Sequence, residues 1–256
     1  MNPANAKTAL IIPDCHIPYE CKESYQLMLD VASHIRTDRG LHEIVILGDY
    51  ADFYAVNSHG KDPAVTDTLI DEVYATIERL KELNKLFPEA KKIFIQGNHE
   101  YRLERYIKNK CPELFGVTTT DKILELNILG YDYISYGPNQ YYPVLGSHLL
   151  ARHEPISGGV HVAHGTVVKA LKSVIFGHTH RIQESQIVTI DGQNLRGISS
   201  GWLGDEKNPV FNYVKNHHQW AQGFSVVTVL DNGMWFNQLV HIIDGTCVFD
   251  GYVFSI

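Results

Sequence analysis

Thr8-Ala9-Leu10-Ile11-Ile12-Pro13-Asp14-Cys15-His16 joins a short, largely apolar run to a turn that carries a carboxylate and an imidazole. Three later stretches repeat the design. Glu43 to Leu47 runs into Gly48-Asp49-Tyr50-Ala51-Asp52, Lys92 to Ile95 leads through Gln96 into Gly97-Asn98-His99-Glu100, and Val174 to Phe176 runs into Gly177-His178-Thr179-His180. Runs this short and this apolar predict strands buried on both faces, in a mostly parallel sheet covered by helices. Loops that leave the carboxyl ends of such strands are where open α/β sheets place their ligands. The four turns therefore bring carboxylates, an amide and imidazoles to one edge, which reads as a metal site built on a sheet.

The segments between the turns fill in the architecture. Lys22 to Arg36 carries Tyr25, Leu29, Ala32 and Ile35 at near-helical spacing, so the chain opens as a βαβ unit. Thr66 to Phe87 predicts a longer helix, with Leu69, Val73, Ile77, Leu80 and Phe87 on one face and Pro88 as its stop. Glu100 to Lys110 predicts a short helix ended by Cys111-Pro112, and Asp121 to Leu126 a further helical stretch. Tyr131 to Tyr136, Tyr141 to Leu145 and His148 to Arg152 read as short strands, followed by a crossover helix over His161 to Lys172. From Arg181 onward hairpins are expected, with Asp191-Gly192 and Asn232-Gly233 as turns and Phe224 to Leu230 and Trp235 to Val240 among the strands. The expected fold is a four-layer α/β/β/α sandwich, two mixed sheets flanked by helices, in a single domain over residues 1–256.

With 256 residues, 44% hydrophobic and 20% charged, the chain can bury a large core. No apolar run approaches the ~20 residues of a membrane span, and Met1 to Lys7 lacks the layout of a signal peptide. A cytoplasmic location is expected. Cys15, Cys21, Cys111 and Cys247 are scattered without paired spacing, which predicts free thiols. Cys15 is left out of the ligand set because, in an extended segment, its side chain would point away from those of its neighbours. The formal net charge of -7 and the absence of any basic stretch longer than Lys91-Lys92 count against a tight grip on long duplex DNA.

Asp-x-His, Gly-Asp-x-x-Asp, Gly-Asn-His-Glu and Gly-His-x-His, in this order from Asp14 to His180, resemble the calcineurin-like metallophosphoesterase superfamily. The wording Asp14-Cys15-His16-Ile17-Pro18-Tyr19 and the ending at Arg181 look like its phage and bacterial members, variously nucleases and nucleotide phosphatases. The resemblance implies that Asp14, His16 and His180 hold a first metal, that Asp49 bridges, and that Asn98, His178 and one further histidine hold a second. A bridging carboxylate lets two dications sit ~3.5–4 Å apart and clamp both oxygens of an in-line phosphoryl displacement. Mixed oxygen and nitrogen ligands suit several metals; Mn²⁺ is taken first, with Fe, Zn, Ni, Co or Mg as alternatives.

For the further histidine the segment offers His148, His153, His161 and His164. His153 ends a strand-like run, as the other ligands do, and is preferred, while His164, followed by Gly165 as is common in the family, stays open. The resemblance makes His99 a catalytic group, either a general acid for the leaving oxygen or a stabiliser of developing charge. It makes Asp52 a residue that orients a ligand histidine or His99. Asn98, His99, Arg102 and Arg181 are the residues expected to meet substrate, with ion pairing the alternative for the two arginines. Glu100 reads as structural at a helix start, and His34, His42, His59 and His241 as surface or satisfied polar residues. His217, His218 and Trp220 could offer a base a stacking surface, with core packing of the tryptophan as the other reading.

The function implied is that of a dinuclear-metal phosphohydrolase in which metal-bound water attacks phosphorus, acting on a nucleotide-sized substrate. A DNA nuclease or repair-type exonuclease is the alternative within the class, and a non-catalytic binding scaffold the alternative outside it. The expected partner is a small phosphorylated molecule, with nucleic acid possible and no membrane; a phage-encoded protein would work in the host cytoplasm.

Overall fold

The computed structural model describes residues 6–58, 60–212 and 219–256. The four apolar runs form β1 (Lys7–Ile12), β2 (Glu43–Ile46), β3 (Lys91–Ile95) and β7 (Ser173–Phe176). Between them lie α1 (Lys22–Asp38), α2 (Leu69–Leu86), α3 (Tyr101–Lys110), α4 (Thr120–Ile123), β4 (Tyr131–Ile134), β5 (Tyr142–Pro143), β6 (Leu149–Arg152) and α5 (Val162–Ala170). The chain ends in β8 (Ile182–Val188), β9 (Asn194–Ser200), β10 (Gly223–Val229), β11 (Trp235–Ile243), β12 (Thr246–Phe249) and β13 (Tyr252–Ser255).

One sheet has the order β13-β12-β11-β10-β1-β2-β3-β4 and the other β5-β6-β7-β9-β8. β1 to β4 run parallel, as do β6, β7 and β9, while the remaining neighbours are antiparallel. Both sheets are mixed, and helices cover their outer faces.

The two-residue period of a strand explains why these runs are apolar throughout. Leu10, Ile12, Ile44, Ile46 and Phe94 point outward into a core completed by Leu29, Ile35, Val73, Leu80, Leu103 and Ile107 of α1, α2 and α3. The alternate residues Ala9, Ile11, Val45, Ile93 and Ile95 point inward, where they meet Leu149, Ala151, Ile175 and Ile198 of the second sheet. On its far side α5 packs Val162 and Ala163 on Val174 and Phe176. Gly197 permits this close approach, since a Cβ there would stand 2.1 Å from the Ala163 carbonyl oxygen. Each fully buried Ile or Leu contributes about 1.5–3 kcal/mol.

Some boundaries differ from expectation for local reasons. α2 starts at Leu69, because Thr68 caps it reciprocally with Asp71. The strand expected over Tyr141 to Leu145 shrinks to β5, because Pro143 cannot donate to a ladder and Val144–Gly146 turns into a 3-10 helix with Leu145 at φ 50°. The Leu145 N–H and the Tyr142 hydroxyl both donate to Glu43 instead. The helix expected over Asp121 to Leu126 is reduced to α4, broken where Glu125 takes φ 54°.

Candidate metal centre

The turns after β1, β2, β3 and β7 converge at the carboxyl edges of the two sheets. His16, Asp49, His178 and His180 adopt left-handed backbone conformations, with φ of 55°, 48°, 64° and 57°. Each such non-glycine residue costs on the order of 1–3 kcal/mol, a strain that persists only where surrounding structure enforces it. Glu100 supplies much of that enforcement. Its buried carboxylate accepts the backbone N–H groups of Asp49, Tyr50, Ala51 and Gly97 at 2.7–3.0 Å, tying the turn after β2 to the turn after β3. Burial and the nearby Asp49 push its carboxyl up to about 7, while the N–H donors pull the other way.

The first group of side chains is Asp14, His16 and His180, whose ligand atoms lie within 4.8 Å of one another. His16 Nδ1 donates to Asp52 Oδ2 at 2.9 Å, so its Nε2 carries the lone pair, and that nitrogen faces His180 Nε2 at 3.0 Å. Asp14 Oδ1 stands 3.6 Å from His180 Nε2. Both Asp14 oxygens also accept the His178 backbone N–H, at 2.8 and 2.9 Å.

The second group is Asp49, His153 and His178, again within 4.8 Å, with Asn98 among them. His153 Nδ1 donates to the Leu47 carbonyl at 2.9 Å, which leaves Nε2 as the nitrogen that faces Asn98 Oδ1 at 2.9 Å and Asp49 Oδ2 at 3.3 Å, holding a proton there or, once that is lost, a lone pair. His178 Nδ1 is 2.7 Å from the same Asn98 oxygen and is the most exposed of these residues. Burial disfavours charge on His153, yet the Asp49 carboxylate beside it raises the imidazole to about 10. Asp49 itself, although buried, is held well below the usual carboxylate range by His153 and His99. Carboxylate and amide oxygens converging with imidazole nitrogens in this little room favour positive charge at their centre, whether as protons on the imidazoles or as metal ions. Two dications fit that preference, and the donor sets are of the mixed oxygen and nitrogen type that borderline metals accept.

His99 and Asp52 lie between the groups. Asp52 Oδ2 accepts from both His16 Nδ1 and His99 Nδ1, at 2.9 and 3.1 Å, so one carboxylate orients both imidazoles. Arg102 donates to Asp52 Oδ1 at 3.0 Å and to His99 Nε2 at 2.7 Å. Because a guanidinium only donates, His99 is neutral in this arrangement, with its proton on Nδ1. Burial, opposed by Asp49 and Asp52, lowers the His99 imidazole below its ordinary value.

Of the alternative histidines, His164 bonds the Ser185 hydroxyl on the outside of α5, and His148 and His161 are exposed; none of them reaches the group. Arg102 is engaged inside the site, whereas Arg181 is half-exposed and donates to the Gly159 carbonyl rather than to a carboxylate. Cys15 is buried, with its thiol on the Pro13 carbonyl and its side chain in the outer core. Its side chain thus points away from those of Asp14 and His16, as expected, although His16 itself is left-handed rather than extended. His42 accepts the Thr8 N–H, His34 packs on Tyr252, and His241 is exposed, while His59, His217 and His218 lie outside the described residues. Trp220 packs against Trp202, Phe211 and His180.

Two features of the site went unread in the sequence. One is the Glu100 cradle, whose acidic residue at a helix start looks like ordinary capping. The other is the pair Tyr101 and Tyr136, stacked 4.9 Å apart, with the Tyr136 hydroxyl on Glu154 beside His153. Residues that meet only through the sheet carry no local signal.

No curated protein matches this chain in sequence. Among solved structures, the nuclease MPE of Pseudomonas putida aligns with 78% of this chain and 76% of its own, at 13% identity and a TM-score of 0.36. A further crystal structure aligns over 91% of this chain and 99% of its own, at 10% identity and a TM-score of 0.44. The family model described as calcineurin-like phosphoesterase matches residues 7–182, from the first residue of β1 to the first of β8, and so includes every strand end that carries the site: the chain belongs to that family.

Proposed function

We propose that this protein hydrolyses a phosphate ester of nucleotide size, using Asp14, His16 and His180 at one metal position, Asn98, His153 and His178 at the other, and Asp49 as the carboxylate that bridges them. Membership of the family makes it a metal-dependent phosphoester hydrolase with a dinuclear centre. The observation that carries the residue assignment is the convergence of two groups of ligand atoms beside Asp49, with Nε2 of His16 and of His153 directed inward by a bond on each ring's other nitrogen. When bound, the pair of dications supplies Lewis acidity toward phosphoryl oxygen and lowers the pKa of a water toward neutrality. Mn²⁺ remains the first metal to try.

The protein's own residues divide the remaining work. Asp52 orients His16 and His99 together. His99 and Arg102 form a linked pair at 2.7 Å, and of the two tasks open to His99 this favours stabilising charge on the leaving oxygen. Arg181, half-exposed and next to His180 in the chain, is assigned to receive a phosphate oxygen. The preference for a small substrate rests on the net charge of -7 and on Arg102 being held within the site by Asp52, which leaves little free cationic surface there among the described residues. Tyr101 and Tyr136, half-buried and stacked next to the site, offer an aromatic surface of the kind a base would use. We also take the chain as one domain, since the inter-sheet core draws on both halves, and as cytoplasmic, since all four cysteines are free.

The test is the purified protein with Mn²⁺, assayed against nucleoside monophosphates, cyclic nucleotides, and single- and double-stranded DNA. Turnover of monophosphates above DNA supports the reading. Preference for DNA ends replaces it with the nuclease reading.

A further inference from the structure

His180 is held differently from the other buried imidazoles of the site. His16 and His99 are each anchored through Nδ1 on Asp52, and His153 through Nδ1 on the Leu47 carbonyl. That outer hydrogen bond fixes ring orientation and tautomer and makes a histidine a better ligand. His180 Nδ1 is fully buried and has no hydrogen-bond partner among the described residues. Two indoles enclose the ring instead. Trp202 lies nearly parallel to it, 9° between planes and 4.7 Å between centroids, and Trp220 meets it at 72° and 4.4 Å.

These indoles are themselves fixed. Trp202 is 1% exposed and packs edge-to-face on Phe211 at 5.2 Å and on Trp220 at 4.6 Å. Gly204 lies close under it, where a Cβ would stand 2.2 Å from the ring. The adjacent Leu203 N–H donates to the Asp14 carbonyl at 2.8 Å, fastening the loop that carries Trp202 to the strand end that carries Asp14.

We infer that Trp202 and Trp220 are positioning residues for His180, and that the position formed by Asp14, His16 and His180 is the weaker of the two metal positions. This rests on the dinuclear reading above. Stacking fixes the plane of the imidazole but not which nitrogen carries the proton. For Nε2 to offer its lone pair, the proton must sit on Nδ1, where no oxygen or nitrogen of the described residues accepts it; the parallel Trp202 turns no face toward that N–H, and the inclined Trp220 provides only a weak acceptor. The other position meets no such penalty, because the Leu47 carbonyl already holds the Nδ1 proton of His153, and the exposed His178 has solvent for the nitrogen that does not face Asn98.

The test is a calorimetric titration of EDTA-stripped protein with Mn²⁺ alone, with tryptophan emission read in parallel. The wild type is expected to show two binding events, with Asp14→Asn removing the weaker and His153→Ala the tighter. Trp202→Leu should weaken the weaker event by about ten- to a hundredfold, the range for lost orienting contacts, and leave the tighter one unchanged. Trp202→Phe, which keeps a flat ring, should recover most of that loss. Should Trp202→Leu fail to fold, Trp220→Leu at the half-buried partner is expected to produce the same selective loss. Wild-type constants in a folded leucine variant, loss of the tighter event, or no recovery with phenylalanine would each overturn the inference. A wild type that binds no Mn²⁺ would overturn the metal-centre reading along with it.

Discussion

Replacing Gly97 with alanine tests the geometry of the centre most directly. An added Cβ would stand 2.2 Å from Asp49 Oδ1, 2.3 Å from the Asp49 amide nitrogen and 2.8 Å from Glu100 Oε2. Ordinary contact begins near 3.4 Å, so the Asp49 carboxylate must retreat by roughly 1 Å. It has nowhere to go cheaply. The Asp49, Tyr50 and Ala51 amides are bound to Glu100, and behind them a Cβ on Gly48 would already lie 2.7 Å from the Gly97 backbone. Overpacking of this kind costs about 1–3 kcal/mol, within the ~5–15 kcal/mol that holds a domain folded. Gly97→Ala should therefore fold with a lowered melting temperature, yet bind Mn²⁺ at the Asp49 position at least tenfold more weakly. A misplacement of about 1 Å can by itself cost ~10²-fold in rate. Circular dichroism melts, calorimetric titration with Mn²⁺ and turnover of a chromogenic phosphate ester provide the three readouts. Gly137→Ala is the control, since a Cβ there meets nothing within 4 Å. A Gly97→Ala protein with wild-type metal affinity and turnover would refute the claim that Asp49 is held where the metals need it.

Three further outcomes are expected of the site and its surroundings. His153→Ala should abolish one of two Mn²⁺ equivalents in the calorimeter, while His164→Ala, on the outside of α5, should leave both; the reverse pattern would sink the ligand assignment. His99→Ala should keep both metals and lose about 10²- to 10⁴-fold in kcat, and unchanged turnover with metals bound would remove His99 from the chemistry. Glu72, buried in α2 beneath the Asp52 loop with the Tyr54 and Ala55 amides on its carboxylate, is raised by burial from 4.5 to about 8. The folded protein thus keeps a proton there that the unfolded chain releases, and stability should fall by a few kcal/mol as pH rises from 4.5 to about 8 and level off above. Melts of Glu72→Gln across that range should show a flatter profile than the wild type, and parallel profiles would show that Glu72 does not carry the slope.

The strands, their burial on both faces and the order of the strand-end turns were legible in the chain, because each depends on short-range composition. Leu10 and Ile11 are neighbours that face different cores, so a run with no polar position fits a strand covered on both sides. The four turns announced their chemistry through residue type alone. What the chain could not display was the pairing of residues far apart in sequence. His153 and His164 are both histidines in a plausible stretch, and only the register of β6 beside β7 brings one of them against Asn98 and turns the other outward. Arg102 held substrate contact and ion pairing open until the loop after β2 put Asp52 against it. Glu100, Trp202 and Trp220 act on turns remote from them in sequence, through backbone amides and ring faces that no local pattern encodes. The sequence by itself determined which ligand types stand at the ends of buried strands, since strand period and side-chain chemistry are local. The tertiary structure alone decided how each is aimed, since orientation at this site is set by hydrogen bonds and aromatic packing between segments that meet only when the two sheets close on one another.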